Sequence, residues 1–141
     1  MKLLFFIFQL LIMTSAVNAQ HNWKITHNGK AKISTSDENE SRNRFSIQKV
    51  DLAKPGSLWV HYMEWEKQPE WERYIGFFDE KENELYLDTT SVVQLTNKKL
   101  TSLTKGVGTV KIYTWSLPTD PELAARIRIR RIHLATISIQ K

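Results

Sequence analysis

Three aromatic residues and three arginines are the side chains in this sequence best suited to gripping a ligand. Trp65 and Trp71 flank a charged break, Lys67-Gln68-Pro69-Glu70, and Tyr74 follows closely. Aromatic rings at the end of a loop stack on sugar rings or peptide side chains, and exposed apolar patches mark interaction sites. Arg126, Arg128 and Arg130 alternate with isoleucines. On an extended strand that spacing puts all three guanidinium groups on one face. Such a stripe holds phosphate, sulfate or carboxylate groups bidentately. The competing reading pairs these arginines with Glu64, Glu72, Glu80 or Glu84 across a sheet.

Residue types used in catalysis are present, but without the spacing that catalysis needs. His21, His27, His61 and His133 are scattered, with no paired helical spacing for a metal. His61 reads as a packed residue. Two of Glu64, Glu66, Glu70 and Glu72 would suit glycoside hydrolysis if they converged. Glu64, however, is expected to pair with Arg73, and Glu70 to sit in a turn. Asp37, Glu38, Asn39 and Glu40 do not match a calcium loop and lack its glycine. Gly106-Val107-Gly108 belongs to no phosphate-binding fingerprint. The reading is a binding module rather than an enzyme, with no catalytic residue, cofactor or metal assigned. A small hydrolase is the third hypothesis.

The aromatics need a scaffold, and residues 58–79 suggest a long hairpin. Residues 58–66 and 71–78 are rich in aromatic and β-branched types, as strands are. If 67–70 are the loop, Val60, Tyr62, Glu64, Glu66, Trp71, Arg73, Ile75 and Phe77 share one face. Trp59, His61, Met63, Trp65, Glu72, Tyr74, Gly76 and Phe78 share the other. This register sets Glu64 against Arg73, worth up to about 1 kcal/mol. Both faces are partly apolar, so either the hairpin is covered on both sides or one face is a ligand platform, centred on Trp65 and Trp71.

The remaining segments extend the same pattern. His27-Asn28-Gly29 between two strand-like runs predicts a hairpin. A three-residue loop with a bulge at Gly29 keeps Trp23, Ile25, Ala31 and Ile33 together. Residues 35–44 are polar and predict a loop. Residues 45–52 read as a strand ended by Lys54-Pro55-Gly56. A charged turn at 79–84 makes residues 74–87 a second hairpin, and 91–95 a weak strand. Residues 97–105 suit a short helix capped by Thr96 or Asn97 and stopped by Gly106. Residues 109–117 predict a strand, and Asp120-Pro121-Glu122 starts a helical turn. Residues 126–139 read as a strand with bulges near Arg130-Arg131 and Ala135-Thr136, the rival being a continued helix.

Composition sets the compartment and class. Lys2, an apolar run to Met13 and Val17-Asn18-Ala19 have the order of a secretory signal peptide over residues 1–19. The apolar run is too short to span a membrane, and the mature chain contains no other candidate span. Cleavage removes only Lys2 from 20 basic residues against 15 acidic ones, leaving a net charge of +4. The absence of Cys points to a bacterial exported protein, periplasmic or extracellular, whose core must hold the fold alone. That compartment argues against nucleic acid as a partner. It favours a glycan, lipopolysaccharide or an envelope protein.

The segment IYTWSLPTDPELAARIRIRRIHLATI resembles the C-terminal stretch of small exported all-β proteins of unknown function from Gram-negative bacteria. It covers less than a fifth of the 141 residues. The resemblance implies export and an all-β fold, and brings no activity or site with it. From the strand pattern, residues 20–141 form one antiparallel β-sandwich-like domain with one or two short helical turns. The leading functional expectation is a non-enzymatic exported binding module using Trp65, Trp71 and Tyr74, with Arg126, Arg128 and Arg130 adding charge. The alternative is a structural or assembly protein of the cell envelope that docks on a partner chain.

Overall fold

Alternating apolar residues divide the chain between two sheets. The computed structural model describes residues 21–65 and 68–141. Residues 1–19, expected to be a signal peptide, lie outside the described residues, as do Gln20, Glu66 and Lys67. In chain order the elements are β1 (His21–His27), β2 (Lys30–Thr35), β3 (Arg44–Gln48) and the short helix α1 (Lys49–Leu52). Next come β4 (Ser57–Glu64), β5 (Trp71–Phe78), β6 (Glu84–Asp88) and β7 (Val92–Thr96). The last are α2 (Asn97–Leu103), β8 (Thr109–Pro118), α3 (Pro121–Arg126) and β9 (Ile132–Gln140). A four-stranded sheet has the order β2-β1-β4-β7, and a five-stranded sheet the order β3-β9-β8-β5-β6. Their inner faces share one core, so the fold is an all-β sandwich with three short helices. All pairings are antiparallel except β3 with β9, which run parallel.

The core forms where inward positions coincide. Trp23, Ile25, Val60, Tyr62, Val93 and Leu95 from the first sheet are buried with Ile75, Phe77, Ile112 and Ile137 from the second. Each strand gives alternate residues to this layer, as the pleat requires. β9 also carries a bulge: Ile112 pairs with Ala135 and Tyr113 with His133, leaving Leu134 as the extra residue. The Leu134 carbonyl accepts a hydrogen bond from Trp23 Nε1 at 3.0 Å, so a buried indole on one sheet satisfies a carbonyl on the other.

Several expectations need correction. The long hairpin of residues 58–79 does not form, because β4 and β5 belong to different sheets. Both edges of β4 are occupied, by β1 and β7, and both edges of β5, by β8 and β6. The residues expected to share a hairpin face, Val60, Tyr62, Ile75 and Phe77, face one another across the core instead. Glu64 and Arg73 do form an ion pair, but between sheets rather than along a ladder.

At the first hairpin, His27 pairs with Lys30, so the turn has two residues, with φ 51° at Asn28 and 79° at Gly29. A register shift beyond Thr26 and Ala31 restores the phase, so Ile33 joins Trp23 and Ile25 in the core while Ala31 is exposed. β3 ends at Gln48, and residues 49–52 turn into α1.

The largest correction concerns residues 126–131. Arg126 ends α3, and β9 begins only at Ile132. Arg130 and Arg131 are drawn in different directions, Arg130 to Glu38 after β2 and Arg131 to Glu82 after β5. The first expected bulge is therefore the chain just before β9 starts, and the second lies at Leu134.

The other elements follow the sequence pattern. β5 and β6 form the expected hairpin. Thr96 caps α2 by accepting from Lys99 N at 3.1 Å. Asp120 caps α3 by accepting from Glu122 N at 3.0 Å, with Pro121 in the first turn.

Candidate functional site

β4 is central in its sheet, and its two sides differ sharply. Leu58, Val60 and Tyr62 are buried, whereas Trp59, His61 and Met63 alternate with them on the outer face. Trp65 continues the outer parity past the strand's end. Trp59 is 44% exposed and Trp65 75% exposed. Polar side chains and Val92 flank this row in register. Trp59 lies between Thr26 on β1 and Gln94 on β7, His61 between Lys24 and Val92, and Met63 beside Asn22. A shallow groove of about 490 Å³ runs beside the row, bounded by Trp59, His61, Lys24, Thr26 and the 55–57 turn. Flat apolar rings interleaved with hydrogen-bond donors and acceptors suit a ligand that is itself apolar on its faces and polar at its edges.

The base of the groove is rigid. Asn97, buried at the start of α2, donates from Nδ2 to Asn28 Oδ1 at 2.8 Å and to the Lys54 carbonyl at 2.9 Å. Its Oδ1 lies 2.8 Å from Nε2 of buried His27. Gly56 has φ +155°, and a β-carbon there would stand 2.0 Å from Asn28 Oδ1. This network ties the β1–β2 turn, the α1–β4 connection and α2 together, so the groove wall at residues 55–57 is held from behind.

Trp65, Trp71 and Tyr74 do not form one platform. Trp71 opens β5 on its core-facing side, half-buried, in register with Pro118. Tyr74 lies on the outer face of the other sheet, stacked on Trp115 at 5.9 Å and 8°, with its hydroxyl donating to Glu72 at 3.2 Å. Of the three, Trp65 alone has the parity of the exposed row, and it is itself exposed just past the strand's end. Trp59, not Trp71, is its aromatic companion. The signal was present in the sequence, since residues 59, 61, 63 and 65 share parity opposite the apolar Leu58, Val60 and Tyr62. His61, expected to be packed, is exposed.

The arginines do not form a strand stripe either. Arg126 is on α3, and Arg128 and Arg130 lie in irregular chain, all three exposed. Arg130 Nη2 reaches both carboxylate oxygens of Glu38, at 2.8 and 2.7 Å. Arg131 lies over the rings of Tyr113 at 3.9 Å and Phe78 at 4.7 Å. Arg126 and Arg128 make no ion pair among the described residues.

A second polar cluster closes the end of the core between β4 and β5. Arg73 lies 4.4 Å over the Tyr62 ring, donates to Thr114 Oγ1 at 3.1 Å and pairs with Glu64. Burial pushes the Tyr62 hydroxyl up to about 12, the nearby Arg73 charge working against it. Tyr62 is therefore a neutral ring and a cation–π surface at physiological pH. Of the four glutamates considered for a carboxylate pair, Glu64 is engaged by Arg73, Glu70 and Glu72 are exposed, and Glu66 lies outside the described residues. Among the described residues, no three His, Asp or Glu side chains gather as a metal would need. No described helix is long and apolar enough to cross a membrane.

The chain matches no family model, no curated protein and no solved structure.

Proposed function

We propose that the chain is an exported, non-enzymatic binding module that takes a glycan on the outer face of its four-stranded sheet. The observation that carries this reading is the exposure of Trp59, on the outer side of a strand whose Leu58, Val60 and Tyr62 are buried, and of Trp65 just past that strand's end. The core is complete without them, so their rings contribute little to folding where they stand, and exposed apolar surface of this kind marks interaction. Thr26, Gln94, Lys24 and His61 supply hydrogen-bonding groups beside the rings. Six residues at about 3.3 Å each place the two tryptophans roughly 20 Å apart. Affinity should therefore rise with oligosaccharide length until both rings are covered. Export through a cleaved signal peptide, and the resemblance of the C-terminal stretch to small exported proteins, support an envelope or extracellular glycan.

Calorimetric titration of residues 21–141 with neutral and acidic oligosaccharides of increasing length tests the reading. Trp59→Ala should weaken binding about tenfold or more, the scale of one lost aromatic contact, and flatten the length dependence. Length-independent affinity, or none, would contradict it. A second reading places a protein partner of the cell envelope on the same face. Met63 and Val92, both partly exposed beside the tryptophan row, favour it by lengthening the apolar strip. Binding to an envelope extract that survives glycosidase treatment and is destroyed by protease would select that reading.

A further inference from the structure

The connection from β8 to β9 carries a feature that the glycan face does not use. β9 does not resume opposite the end of β8: Ile132 pairs with Thr114, so residues 115–118 of β8 extend past it. Residues 119–131 fill the gap as an arm at the end of the sandwich where β4 ends and β5 begins. The arm is tied down at both ends. Thr119 donates from its backbone N at 2.8 Å and its Oγ1 at 3.1 Å to the Glu70 carbonyl. On the return, Arg130 is held by Glu38 and Arg131 by Glu82. Between these anchors nothing is buried. α3 has no buried residue, Leu123 is 47% exposed and Ile129 48% exposed. Arg126 and Arg128 stand beside them without an ion pair among the described residues.

Exposed aliphatic side chains flanking two guanidinium groups that make no ion pair among the described residues have a specific chemical complement. Aliphatic side chains enter the acyl boundary of a lipid surface, while guanidinium groups bind phosphate in the headgroup layer. A protein partner would be expected to meet a contiguous patch or pocket with aromatic anchors, and the arm has neither. We propose that this arm docks the protein on an anionic phospholipid surface, with Leu123 and Ile129 inserted and Arg126 and Arg128 on headgroup phosphates. Asp120 and Glu122 both carry charge against this field, Asp120 keeping its own while it caps α3, but both stand at the start of the arm, four or more residues before Arg126. The arm lies at the end of the sandwich where Trp65 stands, but its variants leave both tryptophans in place, so it stands or falls independently of the glycan reading.

Co-sedimentation of residues 21–141, which contain both sheets and the core, with phospholipid vesicles tests the proposal. Vesicles of equal parts phosphatidylglycerol and phosphatidylcholine should bind the protein, and pure phosphatidylcholine vesicles far less. Each arginine near an anionic surface is worth about fivefold in partitioning, so Arg126→Gln with Arg128→Gln should lower binding roughly thirtyfold and remove most of its salt dependence. Leu123→Ser with Ile129→Ser should lower binding but leave the salt dependence. Val50→Ser removes an exposed apolar residue on α1, at the opposite end, and should change nothing. All these positions are exposed, so the variants should melt like the parent chain. Equal binding to both vesicle types, binding unchanged in both double variants, or binding to heparin but not to vesicles would overturn the proposal.

Discussion

A β-carbon on Gly76 would stand 2.7 Å from the Phe78 ring and 2.9 Å from the Trp115 ring. These rings lie over the glycine on the outer face of the five-stranded sheet, in a cluster that continues through Tyr113 to His133. Gly76→Ala must push the rings aside. It should cost about 1–3 kcal/mol and weaken the near-ultraviolet dichroism of the cluster, as urea titration and circular dichroism would show. His133 ends the cluster, buried, its Nε2 2.7 Å from Thr136 Oγ1. Burial lowers its pKa below 6.5, with Arg44 and Lys111 acting the same way and Glu40 opposing them. The unfolded chain then takes up this proton at a higher pH than the folded one. The resulting stability is complete above about 6.5 and is lost as pH falls through that value toward the depressed folded one. His133→Gln should flatten the acid-side loss of the urea midpoint between neutral pH and about pH 5. An unchanged slope would remove His133 as its source.

Glu64 and Arg73 show how one contact can be read from sequence while its setting is not. They end β4 and begin β5, and they pair across the open end of the core, not along a ladder. Arg73 is mostly covered and lies on Tyr62, so Glu64→Gln leaves a guanidinium partly buried without its counter-charge. That change should cost roughly 1–3 kcal/mol, and a double-mutant cycle with Arg73→Met should recover part of it. Additivity of the two single losses would show that the pair is uncoupled. The alternation of Leu58, Val60 and Tyr62 against Trp59, His61 and Met63 made β4 legible, together with its buried side. Its partners were not legible. β1 and β7 are remote in sequence, whereas the short distance to β5 favoured a hairpin that both strands' occupied edges forbid. The arginine run failed for a related reason. Ile127-Arg128-Ile129-Arg130 alternates like a strand, but an alternating segment needs a neighbour to pair with, and β8 has β9 beside it only up to Thr114. The bulge at Leu134 was legible to within a residue because the isoleucine phase slips there.

At the scale of the molecule, the shared core leaves the tryptophan row and the arginine arm as the two surfaces to which the proposals assign ligands. The core takes Trp23, the groove wall is braced by Asn97, and Trp115 is occupied by Tyr74 and Phe78. Trp59 and Trp65 are the exposed two of the five tryptophans, so they are the indoles that the proposed ligand would cover. The central claim is tested most directly by the tryptophan fluorescence of residues 21–141, titrated with long neutral glycans, acidic glycans and lipopolysaccharide, beside Trp59→Ala and Trp65→Ala. A saturable blue shift with one glycan class, reduced in each variant and accompanied by protection from acrylamide quenching, is the predicted result. A spectrum that no glycan changes, with the exposed indoles equally quenchable throughout, would contradict the account and leave this face to a protein partner.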